Sequence, residues 1–206
     1  NSNAHALAAA SRRLGGNVVG LDRAADTEDA HREGLARALA ADVVLITGGV
    51  SVGDYDLAPA VLAELGVRCV FHGVRLQPGK PLWFGVRGET LVSGLPGTPV
   101  SSRVTPGPFV RPAVRRAAGL EPAAEPLLRA RLVTPLAGGT WRRRYLPARL
   151  GLDDDGALTV AALPWAGSGD VFGFSHANAL MVVDEHAAPR AAGETAGVVT
   201  LRTVGP

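Results

Sequence analysis

Only one cysteine, Cys69, occurs in the 206 residues. No disulfide can therefore close within the chain, which fits a reducing cytoplasm. Flanked by Val67 and Val70, Cys69 reads as a packed, inert thiol on a strand. Long apolar runs are also missing. No stretch approaches the ~20 residues that a membrane span needs, so no membrane association is expected. No signal-peptide pattern is visible, and the chain opens at Asn1 without a methionine, which suggests a fragment or a processed product. The charge excess is small, +2, and gives little reason to expect nucleic-acid binding. What remains is ordinary for a globular protein: 47% hydrophobic and 19% charged residues. The 26 glycines and 15 prolines are scattered between apolar runs and read as turn punctuation.

The first half alternates helix and strand patterns. Ser2 or Asn3 can cap a helix through Ala4–Leu14 that Gly15 and Gly16 end. Asn17–Leu21 reads as a short buried strand. Asp26 or Thr27 can cap a helix over Glu28–Ala40, with acid in its first turn. Asp42–Thr47 is β-branched and aliphatic, as in a parallel strand buried on both faces. A helix near Leu57–Leu65 follows, then strands at Val67–Leu76, Leu82–Val86 and Thr90–Ser93. A helix over Val100–Ala118 must break or kink at Pro106, Pro108 and Pro112. This alternation predicts an α/β layered sheet over residues 1–119.

After a linker at Pro122–Pro126 the pattern changes. Strands are predicted at Leu127–Thr134, Tyr145–Leu150, Ala157–Leu163, Ala179–Val183 and Gly197–Thr203. Residues 125–206 therefore read as a small all-β domain. The acidic run Asp153–Asp155 before Gly156 reads as a solvated hairpin turn rather than a metal site.

Three glycine-containing turns carry the chemistry. Thr47–Asp56 (TGGVSVGDYD) leaves the end of a predicted buried strand, where open α/β sheets bind ligands. Gly48, Gly49 and Gly53 allow close approach of a phosphate or a bulky ring, and free N–H groups in such turns bind anions. Ser51 adds a hydroxyl, and Asp54 and Asp56 add hard oxygens for a cation such as Mg²⁺. Gln77–Pro81 (QPGKP) lies between two strands, and Gly94–Pro99 (GLPGTP) lies between a strand and a helix. Each combines rigid proline with permissive glycine, and three such turns at one sheet edge would make a cleft. Lys80 would offer positive charge to a phosphate or another oxyanion, or sit solvated in its loop.

GGVSVGDYD, PGKP and GLPGTPVS, in this order and spacing, resemble the molybdopterin molybdotransferases of the MoeA and gephyrin E-domain type. The opening NSN, the DVVLITGGVS strand and the GSGD…HANALMVV segment resemble the same family, so the likeness covers essentially the whole chain. The resemblance implies a three-layer MogA-like molybdopterin-binding α/β domain followed by a β-barrel domain. It implies an enzyme of molybdenum cofactor biosynthesis that inserts molybdate into adenylylated molybdopterin, with Mg²⁺ involved, and releases AMP. It further implies a cytoplasmic homodimer, and two subdomains that precede NSN in the family and would complete the cleft. Asp56 matches the family's functional aspartate. Gly48, Gly49, Ser51 and Gly53 would cradle the pterin phosphate. Pro78, Gly79, Lys80 and Pro81, with Gly94, Pro96, Gly97, Thr98 and Pro99, would line the rest. Ser168 matches a ligand-contacting turn of the β domain. Asp26 stands near an acidic pair of the family, as a metal-site residue or as a helix cap.

The chain also departs from the pattern. Thr98 stands where the family usually has asparagine, and Gly73 and Gln77 stand where many members carry basic residues. The alternative reading is therefore a weakened paralogue that holds molybdopterin as a binding or scaffold module. Arg142, Arg143 and Arg144 on one strand cannot all face one way, so at most one is expected to serve a ligand. Trp83 and Trp165 are expected to pack rather than to stack on a pterin. His72 and His176 are expected to be surface or packing residues.

Overall fold

Ser2–Arg13 forms the first helix, α1, and buries Ala4, Leu7 and Ala8. It stops where Gly15 takes φ +84° and the Gly16 N–H donates back to the Ser11 carbonyl, a left-handed terminus that glycine adopts without strain. The computed structural model describes residues 2–50, 56–121 and 127–201. The linker at 122–126 and the end of the last predicted strand lie outside them.

The chain forms two units: Asn1–Val74 with Gly79–Ala124, and Arg75–Pro78 with Glu125–Pro206. The short stretch Arg75–Pro78 thus groups with the second unit.

In the first unit α2 (Glu28–Ala38) is capped by Thr27, whose side chain accepts from the Ala30 N–H. Strand β1 (Val43–Thr47) is followed by α3 (Ala58–Glu64), β2 (Arg68–His72), β4 (Trp83–Arg87) and β5 (Thr90–Leu95). Their order in the sheet is β1-β5-β4-β2. Strands β1 and β5 run parallel; β4 is antiparallel to both β5 and β2. Alternation along the strands sends side chains to two faces. On one face Leu35, Val44, Ala58, Val61, Leu62, Trp83 and Val92 share a core. On the other, Leu7, Leu82, Leu95 and Val110 share a second. The sheet thus lies between two helical layers, as expected.

Four expectations need correction. Asn17–Leu21 is not a strand; it has no regular structure, and Val19 is 74% exposed. In consequence β1 is an edge strand, only partly buried. The run Val67–Leu76 splits, because its end, β3 (Leu76–Gln77), joins the sheet of the second unit. Cys69 is exposed on the edge strand β2, not packed. The proline-rich helix breaks at its prolines, as expected. Helix α4 (Pro99–Val104) passes through a π-helical turn at Pro106–Val110 into α5 (Arg111–Ala117), the wider turn tolerating ring nitrogens that cannot donate.

The second unit contains β6 (Leu128–Leu132), β7 (Arg143–Leu152), β8 (Leu158–Ala162), a short α6 (Val171–Ser175), β9 (Ala179–Val183) and β10 (Thr195–Thr200). The pairings run β7-β8-β6-β10-β9 and return to β7, which closes a five-stranded barrel and removes its free edges. Ala130, Leu132, Ala148, Leu150, Val160, Met181, Ala196 and Val198 fill it. The acidic run is the β7–β8 turn, as expected. The Asp153 carboxylate accepts from the Asp155 and Ala157 N–H groups and pairs with Arg131.

Candidate functional site

The strand register places one end of each strand of the first unit in a single row. Thr47 pairs with Leu95, Gly94 with Trp83, and Trp83 with His72. Three connections start or finish on that row: the segment from Gly48 to α3, the loop from Gly73 to Leu82, and the turn Pro96–Thr98. Gly48, Gly49, Lys80, Pro81, Gly94, Pro96, Gly97, Thr98 and Pro99 therefore gather at one rim. The rim includes the carboxyl ends of the parallel pair β1 and β5, where α/β sheets bind ligands.

Contacts within the rim are close. A Cβ added to Gly97 would sit 3.4 Å from the Gly48 Cα, so the first and third turns touch backbone to backbone. Gly48 and Gly49 take φ +84° and +67°, values that only glycine holds at little cost. The Gly48 N–H donates to the Leu95 carbonyl at 3.3 Å, and the Gly49 carbonyl accepts from the Ala58 N–H at the start of α3. Val50 is 2% exposed and seals the turn against Gly94, where an added Cβ would meet its Cγ1 at 2.8 Å. The middle loop is stapled by the Val74 N–H to the Lys80 carbonyl and the Leu82 N–H to the Gly79 carbonyl. Lys80 is exposed.

Asp56 is half-buried just ahead of α3, while Asp26 is exposed. The capping role belongs to Thr27, which removes that explanation for Asp26. Ser51, Gly53 and Asp54 lie outside the described residues. Pro78 and Ser168 belong to the second unit. Ser168 sits between Gly167 and Gly169, ahead of α6, where the Asp170 carboxylate accepts from the Ala166 and Gly173 N–H groups. Those bonds, Ala166 first, hold the Asp170 carboxyl below the usual aspartate range. The three arginines have separate engagements. Arg142 lies over the Trp141 ring, Arg143 pairs with Asp184 at 2.6 Å, and Arg144 donates to the Ala137 and Gly138 carbonyls. Trp83, 3% exposed, is core.

Two contributors lie outside the glycine motifs. The Asn3 side chain donates to Thr47 Oγ1 and to the Gly97 carbonyl. His72 Nε2 meets the Val50 carbonyl, so His72 is a tether of the first turn rather than a bystander. A polar residue at a helix start reads as a cap, and a histidine ending a strand reads as surface; only the long-range pairing shows otherwise.

Fold and rim together define a three-layer α/β domain with a glycine-rich rim, followed by a β-barrel domain. Residues 1–116 match the family model described as "Probable molybdopterin binding domain", and residues 129–201 match the "MoeA C-terminal region (domain IV)". The chain belongs to this MoeA-type molybdopterin-binding family. It is 34% identical over 188 residues to a molybdopterin molybdenumtransferase of a Nostoc species, covering 89% of this chain and 43% of the relative. It is 33% identical over 198 residues to molybdopterin molybdenumtransferase 2 of Mycobacterium tuberculosis, covering 93% and 48%. Among solved structures, the molybdopterin biosynthesis MoeA protein from Pyrococcus horikosii superposes with a TM-score of 0.78 at 30% identity, over 97% of this chain and 48% of that one. The chain thus spans about half the length of the relatives it matches.

Proposed function

We propose that this chain supplies the molybdopterin-holding part of a molybdenumtransferase, which inserts molybdate into adenylylated molybdopterin and releases AMP. One observation carries the proposal: three glycine-containing turns from distant parts of the sequence meet at a single sheet end, with Lys80 in one and Asp56 following another. Glycine at these positions lets backbone N–H groups approach a phosphate without side-chain obstruction. Lys80 adds a mobile positive charge for a phosphate or for molybdate. The names of the relatives, molybdopterin molybdenumtransferase, support the same chemistry.

Mg²⁺ fits the donor set in its usual manner. It binds through one or two carboxylates completed by substrate phosphate oxygens and water. Among the described residues no three His, Cys, Asp or Glu side chains form a ready protein cage. Asp56 would hold the ion, with Asp26 as the second carboxylate, and the ion would neutralise charge at the phosphate linkage. Asp56 would also orient the anionic groups against the Gly48–Gly49 turn. A cytoplasmic homodimer belongs to the same proposal. No helix of the described residues is long and apolar enough to cross a membrane.

Thr98 favours a second reading, a binding module that holds molybdopterin without efficient insertion. Titration of molybdopterin into the intact protein, followed by an AMP-release assay with adenylylated substrate and molybdate, separates the two. Insertion predicts binding and AMP release, with release lost in Asp56→Ala while the circular dichroism spectrum is kept. Binding without release would favour the module, and no binding would sink both.

A further inference from the structure

Asn3 sits in the first turn of α1, far in sequence from the turns it touches. Its Nδ2 donates to Thr47 Oγ1 at 3.1 Å and to the Gly97 carbonyl oxygen at 2.8 Å. The first acceptor ends β1; the second lies in the GLPGTP turn. One amide group thus spans two of the three turns of the rim, at the place where Gly97 and Gly48 come within contact distance. The amide's orientation follows from the chemistry. A carbonyl oxygen only accepts, so the nitrogen must face Gly97. Asn3 Oδ1 is left buried without a hydrogen-bond partner. A buried acceptor without a partner is unfavourable; here it accompanies the two donations that fix the turns.

We infer that Asn3 is a positioning residue that sets the spacing of the Gly48–Gly49 and Gly97 turns for the anionic pterin. The inference rests on the proposed function for the identity of the ligand, but not for the tether itself. Asn3 acts through Thr47 and Gly97 and performs no chemistry of its own.

The tether can be separated from a mere helix-start role. Helix α1 has no acidic residue in its first turn, and a carboxylate there is favoured by the helix dipole. Asn3→Asp therefore suits the helix, yet it removes both donors and turns a carboxylate oxygen toward the Gly97 carbonyl. In the full chain the dipole gain offsets part of the two lost bonds, so the thermal midpoint of Asn3→Asp is expected to fall by no more than a few degrees. Amide hydrogen exchange at Gly48, whose N–H bonds to the Leu95 carbonyl, is expected to quicken about tenfold, and the Kd for molybdopterin to rise about tenfold. Asn3→Ala should show the same exchange and binding changes. Unchanged exchange at Gly48 in both variants would overturn the tether, whatever the ligand. Faster exchange with unaltered molybdopterin affinity would overturn its role in holding the pterin. If the parent chain fails to bind molybdopterin while exchange still quickens, the tether stands and the proposed function falls.

Discussion

The Nε2 atom of His72, the last residue of β2, lies 3.0 Å from the carbonyl oxygen of Val50. Since the carbonyl only accepts, Nε2 carries the proton. The bond ties the far edge of the sheet to the turn leaving β1. His72→Ala would leave a buried segment with an unpaired carbonyl. The expected cost is about 1 kcal/mol, seen as a lower urea midpoint. His72→Gln, which can donate to the same oxygen, should recover part of the loss. Equal midpoints for all three proteins would show that the bond contributes nothing.

Gly94 and Gly34 make an opposed pair. At Gly94 an added Cβ would lie 2.8 Å from Val50 Cγ1 and 3.1 Å from Trp83 Cβ. Neither neighbour can move freely, since both are buried. Gly94→Ala should destabilise by roughly 1–3 kcal/mol through overpacking and push Val50 out of place, weakening ligand binding as well. Gly34 lies within α2 with nothing near its missing Cβ. Gly34→Ala should stabilise by up to about 1 kcal/mol, because alanine loses less backbone entropy in a helix. Scanning calorimetry of both variants checks the signs; a stabilised Gly94→Ala would contradict the packing described at the rim.

The layered α/β unit and the β-rich second half were legible because apolar periodicity and turn residues mark them directly. Periodicity does not say which sheet a strand joins. The run Val67–Leu76 looks continuous, yet Leu76 pairs with Arg143 in the second unit. Nor does it distinguish a short apolar strand from an exposed segment. Val18 and Val19 are adjacent rather than alternating, Gly16 and Gly20 lie close by, and among the described residues no strand pairs with them. The barrel's closure through β7 and β9 is a contact between strands with two elements between them, which no local pattern encodes. At the site, the glycine turns were visible as motifs, but their tethers Asn3 and His72 were not, because each works through one long-range bond.

Asp170 offers a test of the barrel unit by pH. Its carboxylate accepts N–H groups from Ala166, Gly173 and Phe172, which lower its affinity for protons. A depressed folded-state value means that the stabilisation is complete above the unfolded aspartate range, about 3.9. It is lost as pH falls through the lower folded value. Nuclear magnetic resonance titration should place the Asp170 midpoint below that of an unstructured aspartate. Asp170→Asn should flatten the acid limb of the barrel's stability curve, while Asp170→Ala should also loosen the turn that carries Ser168. A midpoint at or above the ordinary value would refute the bonding pattern.

Thr98 bears on whether the rim is tuned or weakened. It occupies the N-cap position of α4 with extended backbone, φ −69° and ψ 135°, yet its side chain caps no backbone N–H. Its hydroxyl donates instead to Ser101 Oγ at 2.8 Å. Asparagine caps at least as well as threonine. Thr98→Asn should therefore raise the thermal midpoint by a few degrees, in line with a gain of about 0.5–1 kcal/mol. If the amide also reaches the ligand, molybdopterin should bind more tightly by calorimetry. A gain in stability with no gain in affinity would assign position 98 to the helix alone. Weaker binding would mean that the threonine suits this rim, and that the chain has adapted around the smaller hydroxyl rather than lost a contact.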